Sequence, residues 1–129
     1  MKFYTFILEK TNTGFSANSE DIDKYPAATT GSTIAEIKSN ALEALNLWFE
    51  HNGKKQVTEE SILIKLDLAQ FFEYYNVINI KAFAKRIGMN KDLLSQYVNR
   101  IKKPSSKQVG RITKGISDLG AELSTVLVY

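Results

Sequence analysis

The sequence predicts an α+β fold in which a small β-β-β-α-β N-terminal domain, residues 1–66, precedes an all-α domain, residues 67–129. Two patterns of apolar residues support this division. Short segments rich in aromatic and β-branched side chains, typical of strands, occur in the first half of the chain. From about residue 67 onward, apolar residues recur every three or four positions, as in amphipathic helices. The two parts also differ in charge.

Three short strands are predicted before the first helix. The segment FYTFILE at residues 3–9 has the composition of a buried strand. Asn12-Thr13-Gly14 is a turn signal, so residues 15–19 can return as its hairpin partner. The loop at residues 20–31, which contains Pro26, includes a third short strand at 27–30.

A helix over about residues 33–51 follows these strands. Thr33 and Glu36 have the spacing of a capping box, in which the hydroxyl accepts a backbone N–H and the carboxylate reaches back to the cap. Asn52-Gly53 predicts a left-handed stop. Residues 61–68 (SILIKLDL) then alternate at period two and predict a fourth strand. The apolar positions of the helix are Ile34, Ile37, Ala41, Leu45 and Trp48.

The second part predicts four helices. The first begins directly after Asp67, which suits a helix N-cap. The next precedes Gly88, and the third covers about residues 91–100. Ser105 and Gln108 have capping-box spacing and open the last helix. The apolar positions of the first two are Leu68, Phe71, Phe72 and Tyr75, then Ile80, Phe83, Ala84 and Ile87.

The second and third of these helices fit a helix-turn-helix. That motif needs a small residue where its helices cross, a glycine in the turn and a buried aliphatic residue, and Ala84, Gly88 and Leu94 meet these needs. On helix 91–100 the polar side chains cluster within about 140°, opposite the apolar ones. Base edges in the major groove are expected to be read by Lys91, Ser95, Gln96 and Asn99. Phosphate contacts are expected from Lys85, Arg86, Arg100, Lys102, Lys103 and Lys107.

The charge is divided unevenly along the chain. Residues 1–78 hold seven Lys and Arg against eleven Asp and Glu, a net charge of −4, whereas residues 79–129 hold ten against three, a net charge of +7. Such an asymmetry indicates that one segment meets a polyanion and the other does not.

Two known families share these features. Residues 80–105, including Lys103-Pro104-Ser105, resemble the lambda-repressor-like helix-turn-helix family. The N-terminal half resembles the HicB family of antitoxins. It shares with that family the pair Gly14-Phe15 and the step Thr29-Thr30-Gly31-Ser32-Thr33, followed by Glu36, Asn40, Ala41, Glu43 and Ala44. The chain departs from the family where Asp21-Ile22-Asp23-Lys24-Tyr25-Pro26 replaces the usual Pro-Asp-x-Pro-Gly loop.

The resemblance implies the antitoxin of a type II toxin-antitoxin pair. The N-terminal domain of such a protein has a partial RNase H-like fold and covers a small basic, mRNA-cleaving HicA-like toxin. The C-terminal domain binds double-stranded operator DNA as a dimer and represses its own operon. The acidic residues expected to contact the toxin are Glu9, Glu20, Asp21 and Asp23.

The last helix is expected to take part in self-association as a homodimer or tetramer. Its apolar residues alternate every three or four positions from Val109 to Val126, which suits packing against another helix. That partner is either the helix-turn-helix of the same chain or the same helix of a second subunit. The tail at residues 124–129 has a β-like composition. The expected oligomer seam is Ile116, Leu119, Leu123 and Val126.

We expect no catalysis, no metal and no cofactor. The chain has no cysteine, and His51 is its single histidine. The spacing of the carboxylates forces no three of them together, as a metal-dependent nuclease would require. With no secretion signal and no apolar run of about 20 residues, we expect a cytoplasmic protein without membrane contact. The alternative function is a stand-alone transcription regulator whose N-terminal domain senses a small molecule or dimerises.

Overall fold

Four strands in one sheet and five α-helices make up residues 2–129, the part of the chain that the computed structural model describes. The prediction of a mixed α+β fold is confirmed. The chain forms two compact units, one that ends at Asp67 and one that comprises Leu68–Tyr129. No helix in the described residues is both long and apolar enough to cross a membrane.

The sheet of the first unit has the strand order β3-β2-β1-β4. β1 (Tyr4–Lys10) pairs antiparallel with β2 (Phe15–Ser19), and β2 pairs antiparallel with β3 (Ala28–Gly31). β4 (Ile62–Lys65) lies parallel to β1 at its other side. Because side chains alternate across a strand, one sheet face is apolar and buried, while the opposite face includes the part-exposed Ile7 and Leu63.

α1 (Ile34–His51) packs on the buried sheet face and is capped much as predicted. The Thr33 hydroxyl accepts the backbone N–H of Glu36 at 3.1 Å. The carboxylate of Glu36 accepts from Ser32, one residue before the cap, at 3.3 Å. Gly53 ends the helix with the expected left-handed φ of 65°.

The predicted apolar stripe of α1 omitted Phe49 at its C-terminal end, although Trp48 does pack against the core. Phe49 is buried, whereas Trp48 is only half-buried. Steps of four residues rotate by about 40° beyond a full turn. The buried residues of α1 follow this four-residue spacing, so Phe49 comes next on the buried face after Ile37, Ala41 and Leu45. Trp48 lies at the margin of this face, with the Lys54 ammonium 5.0 Å from the centre of its ring.

β4 is shorter than the predicted strand at residues 61–68. Glu59–Ser61 form a short 3₁₀-helix, and the ladder to β1 ends where Lys65 lies beside Ile7. Leu66 packs on the core of the first unit and Leu68 on that of the second. The alternating pattern therefore continues beyond the strand, because strand length is set by pairing and not by apolar spacing.

Four helices form the second unit: α2 (Leu68–Tyr74), α3 (Ile80–Arg86), α4 (Lys91–Val98) and α5 (Ser106–Leu123). Asn79, Asn90 and Ser105 cap the last three by accepting backbone N–H groups with their side chains. α4 ends two residues before the predicted end at residue 100. α5 ends at Leu123, so the prediction that Val126 extends its stripe was wrong.

The core of the second unit contains the residues predicted for it. Ala84 and Leu94 have no exposed surface, and Met89 and Ile112 are buried beside them. α2 contributes aromatic rings to this core. Tyr75 follows α2 directly, and burial, with a smaller effect of the neighbouring Tyr74, raises the pKa of its phenol.

Candidate nucleic-acid interface

The turn between α3 and α4 is closed by backbone hydrogen bonds. Gly88 has a φ of 67° and donates its N–H to the carbonyl of Lys85 at 3.1 Å, and Met89 donates to that of Ala84 at 2.8 Å. This pair of bonds is a Schellman motif, which favours glycine at the left-handed position. Gly88 therefore stands in the turn, as predicted, and α4 begins three residues after it, at Lys91.

The first turn of α4 is held by Asn90. Its side-chain oxygen accepts the backbone N–H groups of Asp92 at 2.8 Å and Leu93 at 3.1 Å. Leu94 and Tyr97 are buried on the inner side of the helix. The remaining surface is polar, and the structure gathers the four predicted base-reading residues on it, namely Lys91, Ser95, Gln96 and Asn99.

The four base-reading candidates differ in what already binds them. The Asn99 amide donates to the backbone carbonyl of Ser95 at 2.9 Å and to its hydroxyl at 3.2 Å. The side-chain amide of Gln96 has no hydrogen-bond partner among residues 2–129. Since a glutamine amide can pair with both hydrogen-bonding atoms of an adenine edge, Gln96 is the predicted reading residue whose amide is available for such a contact.

An open groove beside α4 contains three lysines. Lys81, Lys85 and Lys91 line it together with Asn79, Ala82 and Met89, and no carboxylate is part of this lining. We define these three lysines as the lysine groove. Lys81 was missing from the sequence-based set of phosphate contacts, although its spacing of four residues from Lys85 on α3 was available as a signal. Three lysines around one groove, with no carboxylate in its lining, suit a phosphate group.

Replacing Lys81 with alanine should weaken binding to all duplex sequences alike. Losing one phosphate contact reduces the slope of log K against log salt by about 0.9. Lys114→Ala is the matched control, because it removes the same charge from the same unit. Lys114 is bonded to Asp118 at 2.8 Å, and this bond raises the pKa of its ammonium. An unchanged slope in Lys81→Ala would remove Lys81 from the interface.

The remaining phosphate candidates lie in different settings. Arg86 forms an ion pair with Glu122 of α5, so it is already neutralised within the unit. The others are exposed and occupy the segment from the end of α4 to the first turn of α5: Arg100, Lys102, Lys103 and Lys107. These four cations therefore follow the polar face of α4 along the chain, whereas Arg86 is engaged by α5.

Arg100 has an unfavourable backbone conformation. Its φ is 60°. Arg100 ends α4 with the same pair of hydrogen bonds that is found at Gly88: the N–H of Arg100 donates to the carbonyl of Tyr97, and the N–H of Ile101 donates to the carbonyl of Gln96. Residues other than glycine pay a steric cost in this region, and such strain is concentrated at functional sites. An arginine here is consistent with a side chain kept for its charge.

Replacing Arg100 with glycine should therefore raise stability and lower DNA affinity together. Release of the strain is worth about 1 kcal/mol of unfolding free energy. Arg100→Ala loses the same charge and keeps the strained φ, so it should show the affinity loss without the gain in stability. Chemical denaturation and duplex titration measure the two effects. Undiminished affinity in both variants would contradict a phosphate contact at Arg100.

In the first unit, the predicted toxin contacts divide into paired and unpaired carboxylates. Glu20 binds Lys65 at 2.8 Å, and Asp21 lies 3.8 Å from Lys24. Glu9 and Asp23 form no ion pair among residues 2–129. The structure brings Glu20, Asp21 and Asp23 to one loop, while Glu9 lies on β1 in register with Ser16.

The loop that carries these three acids is anchored on the sheet. The Tyr25 hydroxyl accepts the backbone N–H of Thr5 at 3.2 Å, and its ring packs edge-on against Tyr4. Ser19 closes the base of the loop, because its hydroxyl accepts the N–H of Ala27 at 2.9 Å. The acidic side chains therefore project from a fixed turn, with the exposed Ile22 between Asp21 and Asp23.

The predicted oligomer seam falls into two halves. Ile116 and Leu119 are half-buried and pack against the core of their own unit, which was one of the two alternatives. Leu123 and Val126 are 60% and 58% exposed, and Val126 lies beyond α5. The tail that follows is exposed and forms no strand. Of the four predicted seam residues, only Leu123 and Val126 are therefore left exposed in the single chain.

No three histidine, aspartate or glutamate side chains converge as metal ligands within the described residues. No protein-family model matches the chain, and no curated protein sequence matches it significantly. What the chain does is therefore inferred from its own residues and their geometry.

Proposed function

We propose that the chain is the antitoxin of a type II toxin-antitoxin pair, with one task in each unit. Residues 68–129 act as a helix-turn-helix domain that binds operator DNA and represses the operon. The first unit, with a partial RNase H-like fold, binds and occludes a small basic HicA-like toxin that cleaves mRNA. The chain itself is not an enzyme in this proposal.

The observation that carries the proposal is the polar face of α4, where the Gln96 amide has no partner among residues 2–129, beside the lysine groove. An α-helix fits into the major groove, which is about 12 Å wide and exposes a distinct pattern of donors and acceptors for each base pair. Gln96 would read that pattern, while Lys81 and Lys85 of the lysine groove, together with Lys103, would hold the phosphates. Residues 68–129 hold ten basic and four acidic side chains, in keeping with a polyanionic partner.

The first unit supports the toxin-binding half of the proposal by its charge and its exposed side chains. Residues 1–67 hold ten acidic and seven basic side chains, so they favour a basic partner and disfavour nucleic acid. Of the four acids predicted to contact the toxin, Asp23 and Glu9 form no ion pair among residues 2–129, and Ile22 adds an apolar side chain that is 65% exposed. A three-stranded antiparallel meander followed by a helix and a parallel strand is consistent with the proposed fold.

Self-association completes the proposal. A helix-turn-helix dimer presents its two reading helices to half-sites one helical turn of DNA apart, about 34–36 Å. The exposed Leu123 at the end of α5 and Val126 beyond it would form the contact between subunits. Sedimentation at micromolar concentration tests this point, and a chain that stays monomeric there would contradict the dimer.

Two experiments on the full chain test the function. The purified protein is incubated with a random duplex library, and enrichment of one sequence is expected. It is also co-expressed with the small basic product of a neighbouring reading frame, whose single histidine is replaced so that it does not harm the host, and co-purification is expected. Enrichment of DNA without capture of the basic protein would instead favour a stand-alone regulator. Failure of both would reject the proposal.

A further inference from the structure

We infer that Arg111 is a positioning residue for DNA recognition, which acts from α5 by holding the turn between α3 and α4. The inference rests on the proposed DNA-binding function of residues 68–129. Arg111 is one of the ten cations counted there, but its partners are backbone groups of the protein. Its expected effect is therefore on the sequence preference of binding and not on the phosphate contacts.

The contact of Arg111 lies at the C-terminal end of α3. Its Nη2 donates to the carbonyl of Gly88 at 2.6 Å and to that of Ile87 at 3.1 Å. Carbonyls at the end of a helix lack partners within that helix and carry the negative end of its dipole. A guanidinium is well suited to them, because it combines a permanent positive charge with several donors in one plane.

Packing of α5 brings Arg111 to this place. Gly115, one helical turn further on, is buried against α3, and a Cβ atom there would lie 2.3 Å from Cγ2 of Ile87. Ile112, directly after Arg111, is buried in the core of the unit. The close approach of α5 to Ile87 and the hydrogen bonds to Ile87 and Gly88 thus hold the same turn from one side.

The turn controls the direction of α4. Met89 and Asn90 are the only residues between Gly88 and Lys91, the first residue of α4. Gln96 lies six residues after Asn90, about 9 Å along the helix axis. A rotation of α4 by about 10° at its start would displace Gln96 by about 1.6 Å, which exceeds the spread of hydrogen-bond distances. A loosened turn should therefore cost base recognition before it costs phosphate binding.

The test uses the full chain and two duplexes, one enriched from a random library by the wild-type protein and one with the same composition in scrambled order. Arg111→Ala should reduce the ratio of the two affinities at least tenfold, with unchanged affinity for the scrambled duplex and an unchanged salt slope. Arg111→Lys keeps a donor and a charge, and should give an intermediate ratio. Lys107 lies one turn earlier on α5, and Lys107→Ala should weaken binding to both duplexes and reduce the salt slope by about 0.9.

Each outcome distinguishes the inference from the proposed function. If Arg111→Ala weakens binding to both duplexes equally and reduces the salt slope, Arg111 is a phosphate contact and the positioning role is overturned. An unchanged ratio in a folded Arg111→Ala would overturn it as well. If the alanine variant does not fold, Arg111→Lys decides, and a wild-type ratio there would count against the role. If the wild-type chain enriches no sequence, the DNA-binding proposal itself fails.

Discussion

Replacing Gly115 with alanine should leave the second unit about 2 kcal/mol less stable than replacing Gly110 or Gly120 with alanine. All three glycines lie in α5, and each alanine gains about 1 kcal/mol of helix propensity. A Cβ atom at position 115 would lie 2.3 Å from Cγ2 of Ile87 and 3.2 Å from Cζ of Phe83, whereas nothing lies within 4 Å of one at position 110 or 120.

The clash at Gly115 has no inexpensive relief. The nearest atom is Cγ2 of Ile87, which is bonded directly to the branched Cβ atom. It therefore cannot move aside as the end of a long flexible side chain could. Forcing an extra methyl into a packed contact costs about 1–3 kcal/mol. At position 115 the gain in helix propensity offsets part of this cost. At positions 110 and 120, where nothing is close to the new methyl group, the gain in helix propensity is the whole effect.

Denaturant titrations followed by helix ellipticity measure the difference. Trp48, the single tryptophan of the chain, lies in the first unit, so its fluorescence provides an internal control that should not change. Equal stabilisation by all three alanines would show that α5 does not approach Ile87 as closely as described, and it would also weaken the case for Arg111.

Replacing Gln96 with alanine should reduce discrimination at one base position by about 5- to 150-fold. A bidentate contact to a base edge is worth about 1–3 kcal/mol of discrimination, and the Gln96 amide is the one on α4 without a partner in the described chain. Affinity for random-sequence DNA and the salt slope should stay the same, because no phosphate contact is lost.

Two further variants make the Gln96 experiment specific. Asn99→Ala should have a smaller effect on sequence preference, because the Asn99 amide is engaged by Ser95. Lys103→Ala should weaken binding to all sequences and reduce the salt slope by about 0.9. If selectivity is unchanged in Gln96→Ala, the reading face of α4 has been assigned to the wrong residue.

The starts of α4 and α5 and the turn before α4 were accessible from the sequence because their causes are local. The caps Asn90 and Ser105 each act on backbone groups within three residues, and Gly88 adopts a conformation that other residues avoid. The polar face of α4 follows from helical periodicity alone. One local rule failed, since Arg100 occupies a left-handed position without being glycine.

Other features depend on contacts between residues far apart in the chain. The short extent of β4 follows from its pairing with β1, and the burial of Phe49 at the C-terminal end of α1 depends on the core that this helix packs against. The lysine groove needed the relative placement of α3 and α4. Periodicity identifies which face of an element is apolar, but it does not reveal what that face meets.

The cations of the second unit illustrate the same division. Composition alone located an excess of positive charge after residue 79 and predicted a polyanionic partner. Tertiary contacts decided which of these charges are occupied: Arg86 by Glu122, Arg111 by the carbonyls of Ile87 and Gly88. Those partners lie more than twenty residues away along the chain, and a guanidinium reaches them only after α5 has packed on α3. Charge is a property of each residue by itself, whereas its availability to DNA depends on the folded neighbours.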